Sequence, residues 1–363
     1  MSLDPVVPET RVLAIASHVA YGYVGNSMAV LVMQSLGCEV AALNTTTLRS
    51  SKAGFDAGNH TGYKQFKGTR ASAEEIQEIY DGLKQSYLTD FDMMLSGYAP
   101  SAGVVSAIGS IGRDLKLKAS TRPGSFFWVL DPVMGDEGRM YVSQDVVPAY
   151  KTLLQDVDLI LPNQFEAELL SDIKITSLAT LSEAVAKLHK ENRLPHIIIT
   201  SVRFNAASPK ISIIGSTARL DNSPRLFKIE VPAIDCYFSG TGDMFAALII
   251  VRLREAVTEQ NLARTKSWVP PDTISAVDLP LAKAAEKVLG SMQTVLEKTK
   301  KARDESLESM GGPLGELEKE KGSEKRVHLR KTKAAEVRLV RNLTDLREPK
   351  SLFLAEALDI DDS

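Results

Sequence analysis

Cysteine is scarce in this chain: Cys38 and Cys236 are the only two among 363 residues, and they lie far apart. That excludes a disulfide framework and fits a reducing compartment. Neither they nor the five histidines have the spacing of a zinc site. No sign of charge dominates, since the net charge is −3 and the basic residues are mixed among acidic ones. A nucleic-acid partner is therefore not expected. Long apolar runs are missing as well. The longest, Met244 to Val251, is stopped by Arg252 and is far too short to cross a bilayer. The first ten residues contain no basic stretch followed by an apolar one, so no secretory signal is expected. These absences predict a soluble, cytoplasmic protein with no membrane association, the nucleus being a second location left open. The length suits one large α/β domain or two smaller ones.

What is present alternates. Short apolar runs at Val12–Ala16, Cys38–Leu43, Phe91–Leu95, Phe126–Leu130, Asp158–Leu161 and His196–Ile199 read as strands. Between them, 27–36, 72–86, 102–118, 146–154, 165–170 and 182–190 read as helices. Ser72 and Glu75 form a capping box for the second of these. Continuously apolar strands alternating with helices predict a mostly parallel sheet covered on both faces. Lys210–Ile214 and Leu226–Val231 are expected to add antiparallel strands at one edge, and 282–298 a further helix. The stretch 44–70 is polar, aperiodic and long for a passive connection, which predicts a lid or binding loop. Residues 299–333 are packed with Lys, Glu, Arg, Gly and Ser, so a disordered or solvent-exposed insertion is expected there. Ala334 to Leu339 is apolar enough to rejoin the core.

The most informative stretch is Ser239-Gly240-Thr241-Gly242-Asp243, followed at once by the apolar run from Met244. The glycines allow a tight turn and leave backbone N–H groups open to a ligand. The run after them reads as a buried helix, whose N-terminus carries roughly half a positive charge and favours phosphate. A carboxylate beside a phosphate cradle makes sense if Asp243 takes a proton from the group attacking phosphorus. With an ordinary carboxyl pKa of about 3.9 it would be ionised but weakly basic, and would mainly aim the hydroxyl. The pattern points to a kinase acting on a small hydroxyl compound. A plain turn with an aspartate near the helix start is the competing reading. A third glycine at dinucleotide-fingerprint spacing and a Walker lysine are both missing.

Ligands of open parallel sheets sit beyond the carboxyl ends of the strands. The residues there are Ser17-His18, Asn44, Ser96-Gly97-Tyr98, Asp131-Pro132, Pro162-Asn163 and Thr200-Ser201. Most are small, polar or acidic. Asp131 and Asp136 share one glycine-containing loop, where two carboxylates could hold a hard cation. Asn163 and Glu166 have capping-box spacing and could also reach phosphate oxygens and a magnesium-bound water. His18 and His60 are candidates for stacking or hydrogen bonding.

Taken together, these segments resemble the pyridoxal kinases of the ribokinase-like superfamily. The run from Ser17 to Asn26, SHVAYGYVGN, is similar to that family's opening motif, and Asn59-His60-Thr61-Gly62-Tyr63 to its substrate lid. Gly97-Tyr98, Asp131 to Asp136, Met140-Tyr141-Val142, Pro162 to Leu170, Thr200-Ser201 and Gly240 to Asp243 follow in the family's order. The likeness runs from about Val12 to Phe245. It resumes before Thr299 and again from Ala334 to Leu346. Three features depart from it: a longer loop from Thr45 to Gly58, Leu161 where many relatives carry threonine, and the charged segment.

The resemblance implies a ribokinase-like three-layer sandwich. It divides the chain into a kinase domain over 1–298, the insertion over 299–333, and a segment over 334–363 that returns to the domain. It implies ATP-dependent phosphorylation of the 5′-hydroxymethyl of pyridoxal, pyridoxine or pyridoxamine. Gly240, Thr241 and Gly242 would form the anion hole and Asp243 the base. Ser17, Val24, Thr61 and Tyr98 would line the substrate pocket with Asp243. Asp131, Tyr141, Asn163, Thr200 and Ser201 would contact ATP, together with Thr241 and Gly242. Asp131, Asp136 and Glu166 would attend Mg2+ or another divalent cation. A monovalent cation such as K+ and a homodimer are compatible with the family. A hydroxymethylpyrimidine or sugar kinase, and an inactive carrier of pyridoxal phosphate, are the competing functions.

Overall fold

The apolar runs form strands because each has both faces covered. In β1 (Arg11–Ala16) every residue after Arg11 is buried. Val12 and Ala14 face one apolar layer, and Leu13 and Ile15 the other. The computed structural model describes residues 5–47, 63, 68–136, 138–205, 207–309 and 324–358. In chain order, β1 is followed by α1 (Asn26–Ser35), β2 (Glu39–Asn44), β3 (Thr46–Thr47), β4 (Thr69–Arg70), α2 (Ala73–Gln85) and β5 (Met93–Ser96). Next come α3 (Ala102–Ala119), β6 (Phe127–Leu130), β7 (Gly135–Asp136), β8 (Arg139–Met140), α4 (Val146–Leu153) and β9 (Leu159–Ile160). The chain continues with α5 (Gln164–Ser171), α6 (Leu178–Asn192), β10 (His196–Val202), β11 (Lys210–Ala218), β12 (Pro224–Pro232) and α7 (Thr241–Glu259). It ends with α8 (Pro280–Ser309), α9 (Glu324–Ala334), α10 (Leu343–Arg347) and β13 (Glu356–Ala357).

The main sheet has the order β13-β12-β11-β10-β9-β6-β5-β1-β2. From β2 to β10 every pairing is parallel. β11, β12 and β13 add antiparallel pairings at one edge, as the patterning of 210–214 and 226–231 predicts. Helices α1, α7 and α8 pack on one face, and α2 to α6 on the other. This is the mostly parallel three-layer arrangement expected. Helix α7 explains the apolar run after Asp243: Met244 to Val251 is buried all round, between the sheet and its neighbouring helices. Each of its large side chains contributes about 1.5–3 kcal/mol by leaving water.

Several polar groups inside the sandwich are paired. Buried Asp158 accepts from the Trp128 N–H (2.8 Å), Lys116 Nζ (2.9 Å) and Ser267 Oγ (2.7 Å). Trp128 Nε1 donates to Ser96 Oγ at 2.8 Å, and Trp268 stacks on Phe127 with centroids 4.1 Å apart. Cys38 and Cys236 are both free. No described helix is long and apolar enough to cross a membrane.

The charged segment differs from expectation where it begins, and at its far end it is solvent-exposed as expected but helical. Helix α8 runs on past residue 298 to Ser309, and 324–334 forms α9, which buries no residue. Two effects extend α8. Thr299 is fully buried and receives the Arg338 backbone N–H at 3.2 Å, and Lys300 and Asp304 pair across one turn. Beyond α9, Ala335, Val337 and Leu339 are buried, so this segment does rejoin the core.

Candidate active site

Three segments distant in sequence meet at the carboxyl edge of the parallel strands. The first is the loop from Ser17 to Gly25, between β1 and α1. The Asn26 N–H donates to the Ser17 carbonyl at 2.6 Å, and Gly25 has φ +52°. A Cβ at Gly25 would stand 2.1 Å from the Ser17 oxygen, so only glycine permits this closure. Ser17 and Val24 are half-buried on this loop. His18 Nδ1 lies 3.2 Å from Ser27 Oγ, a local hydrogen bond that holds the loop.

The second segment is the start of α7. Gly240 precedes it with φ +82°, and a Cβ there would lie 2.2 Å from the Tyr23 carbonyl oxygen. The loop after β1 thus presses directly on the helix start. The N–H groups of the first turn have no partners within the helix, as at any helix N-terminus. Asp243 sits in that turn, half-buried. Burial pushes its carboxyl up to about 6, against the pull of the Gly25 backbone N–H. Asp243 is therefore a stronger base than an ordinary aspartate, the value expected from sequence.

The third segment follows β6. The Asp131 N–H continues the ladder to the Ser96 carbonyl at 2.8 Å, and its side chain is only 8% exposed. Asp131 Oδ2 is 4.0 Å from where a Gly242 Cβ would be. Burial raises the Asp131 carboxyl well above the usual range, and the charges of Glu166 and Asp243 raise it further. Glu166 closes the capping box expected with Asn163 and also clamps the Asp131 loop. Its Oε1 accepts from the Met134 and Gly135 N–H groups at 2.8 and 3.3 Å, and its Oε2 from the Asn163 N–H at 2.9 Å. Asn163 Nδ2 donates to the Gly135 carbonyl at 2.7 Å. Desolvation raises the Glu166 carboxyl; the three N–H bonds oppose it.

The remaining expected residues fall into three groups. Tyr98, Thr200 and Ser201 are half-buried at the same strand ends. The Tyr98 carbonyl accepts from Thr45 Oγ1 at 2.8 Å, and the Thr200 N–H donates to the Pro162 carbonyl at 2.9 Å. Tyr141 is 60% exposed beyond β8, and Asp136 is exposed in the β7–β8 hairpin, unlike buried Asp131 and Glu166. Among the described residues no three His, Cys, Asp or Glu side chains are gathered to hold a metal by themselves. His60 and Thr61 lie outside the described residues. Leu161 is part of the apolar core. Gly25 belongs to the Ser17–Asn26 motif, but no role for it follows from the sequence. The signal is a glycine eight residues after Ser17, and its meaning appears only when Asp243 is seen opposite it.

A family model described as phosphomethylpyrimidine kinase matches residues 114–277. The chain is 38% identical over 255 residues to a pyridoxal kinase of Ovis aries, covering 67% of this chain and 77% of that protein. It is 35% identical over 253 residues to a pyridoxal kinase of Homo sapiens, with the same coverage of 67% and 77%. The structure is similar to a pyridoxal kinase from Leishmania donovani solved with ADP and pyridoxamine. That likeness has a TM-score of 0.74 at 27% identity and covers 97% of this chain and all of the other.

Proposed function

This chain belongs to the pyridoxal kinase family of the ribokinase-like superfamily, and from that premise we propose how its cleft divides the work. The protein is an ATP-dependent kinase that phosphorylates B6 vitamers. The hydroxymethyl oxygen bonds to the γ-phosphorus, the bond to the bridging oxygen of ADP breaks, and the hydroxyl proton passes to Asp243. Such transfers have a loose transition state with charge on the equatorial oxygens, so positioning and electrostatics dominate. The N–H groups of Gly240, Thr241 and Gly242 stabilise that charge; losing one such donor costs roughly 3 kcal/mol. Asp243 orients the hydroxyl and takes its proton, and its raised pKa supports this role.

Ser17, Val24 and Tyr98 form the vitamer side. Asn163, Thr200, Ser201 and Tyr141 form the nucleotide side. The observation that carries the reading is the contact of Gly240 with Tyr23, which joins the vitamer loop to the phosphate cradle. The carboxylates fit a hard cation: Asp131 is raised by burial and by the neighbouring charge of Glu166, a crowding that a cation relieves. Asp131 and Glu166 would hold Mg2+ with phosphate oxygens and water, and Asp136 would act from the hairpin at longer range. Bound there, the cation supplies charge neutralisation for the phosphates. K+, a homodimeric state, a cytoplasmic or nuclear location and the division of the chain at 298 and 333 belong to the same proposal.

A coupled assay of ATP consumption with Mg2+ tests it against pyridoxal, pyridoxine, pyridoxamine, hydroxymethylpyrimidine and ribose. Turnover is expected with the three B6 vitamers. Preference for the pyrimidine or the sugar, or ATP-independent pyridoxal phosphate binding without turnover, would overturn the assignment.

A further inference from the structure

Glu336 is a carboxylate that the chemistry above does not use. It lies two residues beyond α9, between buried Ala335 and Val337. Those neighbours turn into the core, and Glu336 turns the other way, toward the loop after β1. Its Oε1 accepts the hydroxyl hydrogen bond of Tyr63 at 2.7 Å, across 273 residues of sequence. Its Oε2 stands 2.5 Å from where a Cβ on Gly22 would be, and Gly22 has φ +87°. The carboxylate therefore fills the space that this glycine leaves open. Tyr63 is buried, and its ring meets Tyr21 edge-on with centroids 6.4 Å apart. Gly22 is followed by Tyr23, whose carbonyl backs Gly240.

We propose that Glu336 is a positioning residue for the alcohol substrate: by holding Tyr63 and the Gly22 turn, it fixes the loop that carries Ser17 and Val24. The proposal rests on the B6-kinase reading of that loop. It predicts a one-sided effect. Tyr63 and the Gly22 turn, which Glu336 contacts, belong to the vitamer side, whereas Asn163 and Glu166 on the nucleotide side are held by bonds to Met134, Gly135 and each other. The apolar turn that follows α9 thus sets affinity for the vitamer, although it begins beyond a charged segment that the kinase chemistry does not involve.

Steady-state kinetics with pyridoxal, ATP and Mg2+ on the full chain test this. Glu336→Ala and Tyr63→Phe should each raise the KM for pyridoxal about tenfold, the loss expected for one hydrogen bond to a charged group. The KM for ATP and kcat should stay within about twofold, and the double variant should be no worse than either single one, because both remove the same contact. Glu336→Gln keeps an acceptor oxygen and should restore most of the affinity. Tyr63→Phe and Glu336→Gln carry the test if Glu336→Ala does not fold. An unmoved KM for pyridoxal, equal increases in both KM values, or additive single effects would overturn the proposal. Failure of the wild type to phosphorylate pyridoxal would instead defeat the functional reading, and this proposal with it.

Discussion

Replacing Asp243 by asparagine should stabilise the nucleotide-free protein at alkaline pH while it destroys activity. Burial lifts the Asp243 carboxyl from an ordinary 3.8 to about 6, so the ionised form is less favourable in the fold than in the unfolded chain. At about 1.4 kcal/mol per pKa unit, the penalty reaches about 3 kcal/mol at pH 8. The sign follows from which state holds the proton better. The folded protein does, so stability from this group declines as pH rises from about 4 to about 6 and levels off above. At pH 5 the penalty is about 1.5 kcal/mol, and below pH 3.8 it vanishes. Asparagine carries no charge and still presents an oxygen to the Gly25 N–H. Urea unfolding, followed through buried Trp128 and Trp268, should therefore show the variant gaining about 1.5 kcal/mol on the wild type between pH 5 and pH 8. Any constant offset from the fit of the amide cancels in that comparison. A pH-independent difference, or a gain toward acid pH, would refute the reasoning. The same group should give kcat/KM an acid limb near pH 6 in the wild type.

The two glycines of the cradle should behave differently. Gly240→Ala forces a Cβ to 2.2 Å from the Tyr23 oxygen at a φ of +82°, so thermal unfolding should show a loss of at least about 2 kcal/mol together with loss of activity. Gly242→Ala meets nothing closer than Asp131 Oδ2 at 4.0 Å, so it should fold as well as the wild type, yet lose most of its kcat/KM for ATP because the new methyl would enter the proposed phosphate site. Normal activity in Gly242→Ala would place the phosphates elsewhere. Asp158→Ala leaves the buried Trp128 N–H without its acceptor and frees the part-buried Lys116 and Ser267 donors, so urea unfolding should show a loss of about 1–3 kcal/mol, with KM values unchanged in the folded fraction.

Much of this fold is written in local patterns. The apolar strands from β1 to β10 and the helices between them stand out because each is buried on both faces or along one stripe, which leaves a strong periodic signal. The cradle at Gly240 to Asp243 is equally local, as is the capping box of Asn163 and Glu166, which appears as read. Pairs such as β7–β8 and the edge strand β13 escaped because strands of two residues carry no periodicity. The extension of α8 past 298 is not legible in composition, because it depends on a distant partner, the Arg338 N–H that donates to the buried Thr299 hydroxyl. The raised pKa of Asp243 depends on what surrounds it once folded. The link from Glu336 to Tyr63 joins residues too distant in sequence for any local reading. Asp131 and Asp136 share a loop, but the hairpin after β6 turns one inward and the other to solvent, a separation that spacing alone does not reveal.

The central proposal is that the Asp243 carboxylate aims the alcohol at a phosphoryl group held by the Gly240–Gly242 amides. The most direct test measures kcat for pyridoxal in Asp243→Asn beside the ATP dissociation constant by calorimetry. The account predicts that kcat falls by about 10²-fold or more, the scale of a positioned acid–base group, while ATP affinity stays within about threefold. A kcat within tenfold of the wild type would contradict it.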